Sequence, residues 1–75
     1  MNELEKLLKE SVAGIDTQSQ DFIGDGFLDS FALMSLIAAL EERYQISIFD
    51  SEIDIDDYTN LDSICDFLRK KGVKI

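Results

Sequence analysis

The sequence predicts an all-α fold in which residues 1–75 form one domain, a four-helix bundle with three main helices and a short third helix. A long loop is expected between helices one and two. Three observations favour this class. Apolar residues recur at helical spacing in three separate stretches. The chain contains no proline and is 45% hydrophobic, which is typical of a compact helical domain. Finally, the one stretch with strand-like alternation, residues 45–58, has no evident partner strand.

The first helix is predicted from Asn2 to about Ala13. Asn2 and Glu5 have the spacing of an N-terminal cap and its reciprocal partner. Gly14 is expected to end the helix. Its apolar positions are Leu4, Leu7, Leu8 and Val12.

A long loop from Ile15 to Asp29 is predicted next, with Gly24 and Gly26 as turn residues. The loop contains an unusual number of large apolar side chains for a surface connection. We therefore expect it to pack on the core. These side chains are Phe22, Ile23, Phe27 and Leu28.

Ser30 to Tyr44 gives the strongest helical pattern, because its apolar residues recur on one face over the whole length. Asp29 stands immediately before it and is a favourable N-cap, with its negative charge at the positive end of the helix dipole. Ser30 is thus expected to open the helix. The predicted core stripe is Leu33, Leu36, Ile37, Leu40 and Tyr44.

The last third of the chain is predicted to hold a loop, a short helical turn near residues 54–58, and a final helix. Residues 59–62, with the sequence TNLD, are typical of a helix cap. Gly72 is expected to end the helix after three basic residues. The predicted apolar stripe of this helix is Leu61, Ile64, Cys65 and Leu68.

The net charge of −9 is unevenly distributed along the chain. From residue 16 to residue 66 there are 13 acids and a single base, Arg43, whereas residues 67–75 carry a charge of +4. An acidic surface of this kind repels nucleic acid and anionic membranes and attracts proteins that present Lys and Arg patches. Simple solubility is the alternative explanation of the charge.

Several classes of function are disfavoured by composition. A chain of 75 residues buries only about 60% of its unfolded surface, so a deep enzyme cleft is not expected. With no histidine and a single cysteine, Cys65, the chain offers neither a zinc site nor an internal disulfide. Cys65 itself is expected to be buried and inert. The acidic N-terminus and the absence of a long apolar run predict a soluble, cytoplasmic protein without stable membrane insertion. We expect a monomer, with weak self-association through an exposed Phe31 and Met34 as the alternative.

A second apolar face is predicted on the Ser30 to Tyr44 helix, roughly opposite its core stripe. Phe31, Met34 and Ala38 lie on this face, and Glu41 and Glu42 lie at its rim. Such a patch is typical of a docking surface. In the simpler alternative, Phe31 and Met34 tuck under the long loop and the adjacent serine only helps to cap the helix.

Two segments carry a resemblance to a known family. Residues 25–31, with the sequence DGFLDSF, followed by an amphipathic helix ending in LEERY, resemble the phosphopantetheine attachment region of acyl carrier proteins. The order of predicted helices extends the resemblance over nearly the whole chain. Gly26, four residues before Ser30, and the pair Tyr58-Thr59 look most like the D-alanyl carrier proteins. Ala32 and Ser35 depart from the pattern, because many carriers have acids there, and this departure affects partner choice.

The resemblance implies that Ser30 is modified with 4′-phosphopantetheine taken from coenzyme A by a phosphopantetheinyl transferase with Mg²⁺. It also implies roles for Asp29 and Phe31 in recognition at the attachment site. The chain would then be a carrier and not an enzyme, moving thioester-linked acyl or aminoacyl groups between a loading ligase and acyltransferases that present basic patches. The candidate docking residues are Met34, Ala38, Glu41, Glu42, Asp54, Asp56 and Asp57.

Two other functions compete with the carrier. Residues 50–56 alternate acids as a calcium-binding loop does, but Ile55 and Leu61 occupy the positions where that loop requires glycine and a bidentate glutamate. A non-covalent acidic helical adaptor, which uses the same surface without a prosthetic group, stays open as the alternative.

Overall fold

The computed structural model describes residues 3–75, which form three α-helices and two 3₁₀ helices and contain no strand. The α-helices are α1 (Glu3–Ser11), α2 (Ser30–Tyr44) and α3 (Leu61–Lys70). The 3₁₀ helices are Asp50–Glu52 and Ile55–Tyr58. The all-helical prediction is confirmed, with two 3₁₀ helices in the region where one short third helix was expected.

The first helix is shorter than the apolar spacing predicts. It ends at Ser11, two residues before Ala13, and the chain then turns through Gly14 at a φ of +77°. The left-handed backbone at this position favours glycine, as the sequence indicates. The predicted cap at Asn2 lies outside the described residues.

The core lies between the three helices and is completed by residues from the connecting segments. Two of the predicted stripe positions on α2, Leu33 and Tyr44, are only half-buried, as is Leu61 on α3. In contrast, Phe67 is buried, although the predicted α3 stripe did not include it. Its ring packs at 5.6 Å between centroids from that of Tyr58, which comes from the second 3₁₀ helix. The buried helical residues are Leu4, Leu8, Leu36, Ile37, Leu40, Ile64, Phe67 and Leu68.

The long loop between α1 and α2 packs on the core, as predicted. Phe22 and Leu28 are buried in it, while Ile23 and Phe27 are half-buried. The Phe22 amide donates to the Thr59 carbonyl at 2.6 Å, which joins the loop to the chain just before α3. Loop and helices therefore form one packed unit on the side from which α2 begins.

The second 3₁₀ helix is fixed at its start by a hydrogen bond and at its end by burial. The Asp54 carboxylate accepts from the Asp56 amide at 3.0 Å, and Tyr58 is fully buried at the other end of the second 3₁₀ helix. Asn60 caps α3 by accepting from the Ser63 amide at 2.9 Å. The predicted cap at residues 59–62 is thereby confirmed.

Across residues 3–75, no helix is both long enough and apolar enough to span a membrane.

Candidate functional site

Ser30 is exposed to solvent and is the first residue of α2. The residue before it, Asp29, has extended backbone geometry and caps the helix. Its carboxylate accepts from the Ala32 amide at 2.8 Å, and its carbonyl accepts from the Leu33 amide at 2.8 Å. These two bonds fix the point at which α2 starts, and with it the position of the Ser30 backbone. The predicted start of α2 and its N-cap are both confirmed.

The first turn of α2 has two backbone amides without a partner. Among residues 3–75, neither the Ser30 nor the Phe31 N–H donates to any acceptor. Such amides, together with the positive end of the helix dipole, favour an anion at this position. The carboxylate of Asp29 is a neighbouring negative charge that opposes this effect.

The apolar face predicted on α2 is exposed to solvent. Phe31 is 71% exposed and Met34 is 50% exposed, and Ala38 is exposed as well. The alternative in which Phe31 and Met34 tuck under the loop is therefore wrong. Phe31, the residue after Ser30, therefore keeps most of its side chain in water.

Ser30 also borders a cleft that the sequence did not reveal. The cleft has a volume of about 260 Å³ and is open to solvent. Ile55, which is 55% exposed, forms one wall of it from the second 3₁₀ helix. The one signal in the sequence was the isoleucine at position 55 within the acidic stretch EIDIDD (residues 52–57), where it belongs to no helical stripe. The lining residues are Ile23, Leu28, Asp29, Ser30, Leu33 and Ile55.

The candidate acidic residues differ in how freely they face solvent. Glu42, Asp54 and Asp56 are exposed, whereas Asp57 is half-buried. Glu41 is half-buried too, and its carboxylate accepts from the Ile48 amide at 2.9 Å. The Glu41 side chain therefore holds the segment that follows α2 against the helix.

Cys65 is half-buried, so the expectation of full burial is wrong in degree. Desolvation by its surroundings is the main cause that raises the pKa of its thiol above the ordinary value. A thiol in this state is protonated at neutral pH and is a poor nucleophile. In the described part of the chain, no group of three or more His, Cys, Asp or Glu side chains is arranged to hold a metal ion.

These features define a small helical domain with an exposed, helix-opening serine behind a capping aspartate, which is the architecture of a carrier of a tethered group. Over residues 1–68 the chain matches the family described as phosphopantetheine attachment site, and it belongs to that family. Members of the family bind 4′-phosphopantetheine covalently. No characterised protein and no solved structure matches the chain significantly. The likeness to D-alanyl carrier proteins stays a prediction.

The residues around Ser30 fit such a group. The serine is exposed, the unpaired amides of Ser30 and Phe31 suit a phosphodiester anion, and the cleft leaves room beside the attachment point.

Proposed function

We propose that Ser30 is the attachment residue for 4′-phosphopantetheine and that the chain carries thioester-linked acyl or aminoacyl groups between enzymes. The observation that supports this most strongly is an exposed serine as the first residue of α2, directly after its cap, in a chain of this family. The position combines access for a large enzyme with a helix end that favours an anion.

Ser30 supplies the oxygen that becomes bonded to the β-phosphorus of coenzyme A. The bond between that phosphorus and the bridging pyrophosphate oxygen breaks, adenosine 3′,5′-bisphosphate leaves, and the serine proton passes to the transferase. Asp29 keeps this oxygen at the helix end by capping α2, and Phe31 offers an apolar contact beside it. When bound, the prosthetic group supplies a terminal thiol that forms the thioester. Cys65 is unsuited to that role because it is half-buried and its pKa is raised.

The same face of the molecule is proposed to receive partner enzymes. Phe31, Met34 and Ala38 give an apolar centre. Glu42 lies near this centre, and Arg43 is the one base in α2. Apolar centres with charged rims are typical of transient interfaces. The partners are a phosphopantetheinyl transferase, a loading ligase and acyltransferases with basic patches. Glu41, Asp54, Asp56 and Asp57 extend the acidic rim of this surface.

We also propose that the carrier is a cytoplasmic monomer of one domain that contributes no catalytic residue of its own. Each partner enzyme supplies the chemistry, and the carrier supplies the tethered cargo at high effective concentration.

The test is modification by coenzyme A and a broad-specificity phosphopantetheinyl transferase, followed by intact mass measurement. Wild type is expected to gain the mass of one phosphopantetheine, and Ser30→Ala is expected to gain none. Ser35→Ala is the matched control, because Ser35 is an exposed serine of the same helix. An unmodified wild type would favour the non-covalent adaptor.

A further inference from the structure

The cleft beside Ser30 has an apolar wall that folding leaves largely exposed to water. Ile55 is 55% exposed, although an isoleucine gains stability only when it is removed from water. Its neighbours in the second 3₁₀ helix, Asp56 and Asp57, are acids.

The second 3₁₀ helix holds Ile55 in a fixed position. On one side, the Asp54 carboxylate accepts from the Asp56 amide at 3.0 Å, and the Asp54 carbonyl accepts from the Asp57 amide at 3.0 Å. On the other side, Tyr58 is fully buried and packs against Phe67. The cleft is thus preformed, which lowers the entropy cost of filling it.

We propose that this cleft receives an apolar side chain of the phosphopantetheinyl transferase that modifies Ser30, so that Ile55 is a specificity-determining contact for that enzyme. The inference rests on the proposed function of Ser30. Because Ser30 and Asp29 line the same cleft as Ile55, an enzyme bound at the serine hydroxyl lies next to the cleft. Its volume of about 260 Å³ lies just below the roughly 300 Å³ at which small-molecule sites begin, and it suits a single large side chain.

The charges around the cleft indicate which residues of the transferase should flank that side chain. From residue 44 to residue 68 the chain has seven acids and no base. Asp54 and Asp56, on either side of Ile55, are both exposed. The fitting partner surface is therefore an apolar side chain flanked by Lys or Arg, since buried apolar centres with complementary charged rims favour association.

The experiment compares two exposed isoleucines at separate places in the fold. Ile55 lies in the cleft beside Ser30, while Ile75, 40% exposed, lies in another cleft with Cys65 and Arg69. Steady-state modification by a broad-specificity transferase with coenzyme A is measured for wild type, Ile55→Ser and Ile75→Ser. We expect Ile55→Ser to raise the KM for the carrier about tenfold with kcat unchanged. Ile75→Ser is expected to match wild type.

Ile55→Val provides a graded variant with less effect on the fold, and its KM is expected between those of wild type and Ile55→Ser. A KM of Ile55→Ser and Ile55→Val within twofold of wild type would overturn the inference. Failure of wild type to be modified at all would instead refute the role of Ser30.

Discussion

The fully buried hydroxyl of Tyr58 gives the sharpest test of the packing. Among the described residues this oxygen has no hydrogen-bond partner. A buried polar group without a partner costs about 1–3 kcal/mol. Tyr58→Phe removes the hydroxyl and keeps the ring contact with Phe67, so we expect the variant to be more stable by about 1 kcal/mol. In a domain of this size that corresponds to a rise of roughly 4–8 °C in Tm.

The pH dependence of the stability gives an independent measure of the burial of the Tyr58 hydroxyl. Desolvation is the main cause that raises the pKa of Tyr58 from 10.0 to about 12. The folded state holds the Tyr58 hydroxyl proton more tightly than the unfolded state does. The resulting contribution to the free energy of unfolding is present below pH 10 and is lost as the pH rises towards 12. The loss amounts to roughly 2 kcal/mol at pH 12 and is absent from Tyr58→Phe.

Urea denaturation of wild type and Tyr58→Phe at pH 7 and at several values above pH 10 measures both effects. The difference in stability between the two proteins is expected to widen with pH. A Tyr58→Phe variant that is less stable than wild type at pH 7 would refute this reasoning, because the hydroxyl would then have a favourable partner.

Two further changes test the attachment site and the segment that carries Ile55. Asp29→Ala removes the cap of α2 and is expected to lower the free energy of unfolding, measured in urea, by about 1 kcal/mol. Asp29→Asn keeps an accepting oxygen and should lower it much less. Equal losses in the two variants would contradict the capping role. Lys71→Met is expected to raise the pKa of Glu52 towards its ordinary value in an NMR titration, because the hydrogen bond from Lys71 at 2.8 Å is the main cause that lowers it. The lowered pKa of Glu52 stabilises the folded state at pH values above the ordinary pKa of a glutamate, and this stability is lost as the pH falls. Lys71→Met should therefore lose less stability than wild type on acidification. An unchanged Glu52 titration would show that the ion pair does not persist in solution.

Much of the candidate site was predictable because its signals are local. Asp29 and Ser30 are adjacent in sequence, and a cap depends on backbone geometry over only a few residues. The exposure of Phe31 and Met34 followed from their angular position on a helix whose other face is apolar. These features needed no knowledge of the rest of the fold.

Other features depended on contacts between distant segments. Glu41 is predicted as a docking acid, and the structure adds a contact that the sequence does not reveal: its carboxylate accepts from the Ile48 amide of the following loop. Phe67 is buried because Tyr58 lies beside it, and helical spacing within α3 alone does not reveal that neighbour. The single short helix expected near residues 54–58 is accompanied by a second at Asp50–Glu52.

By itself, the sequence determined the helical class, the start of α2 and the exposed serine at that start, because hydrophobic period and capping act over one or two turns. Only the tertiary structure decided that Ile55 and Ser30 share a cleft and that Cys65 is half-buried. The reason is physical: burial and cleft shape depend on which distant side chains meet, and that is settled by the packing of the whole domain.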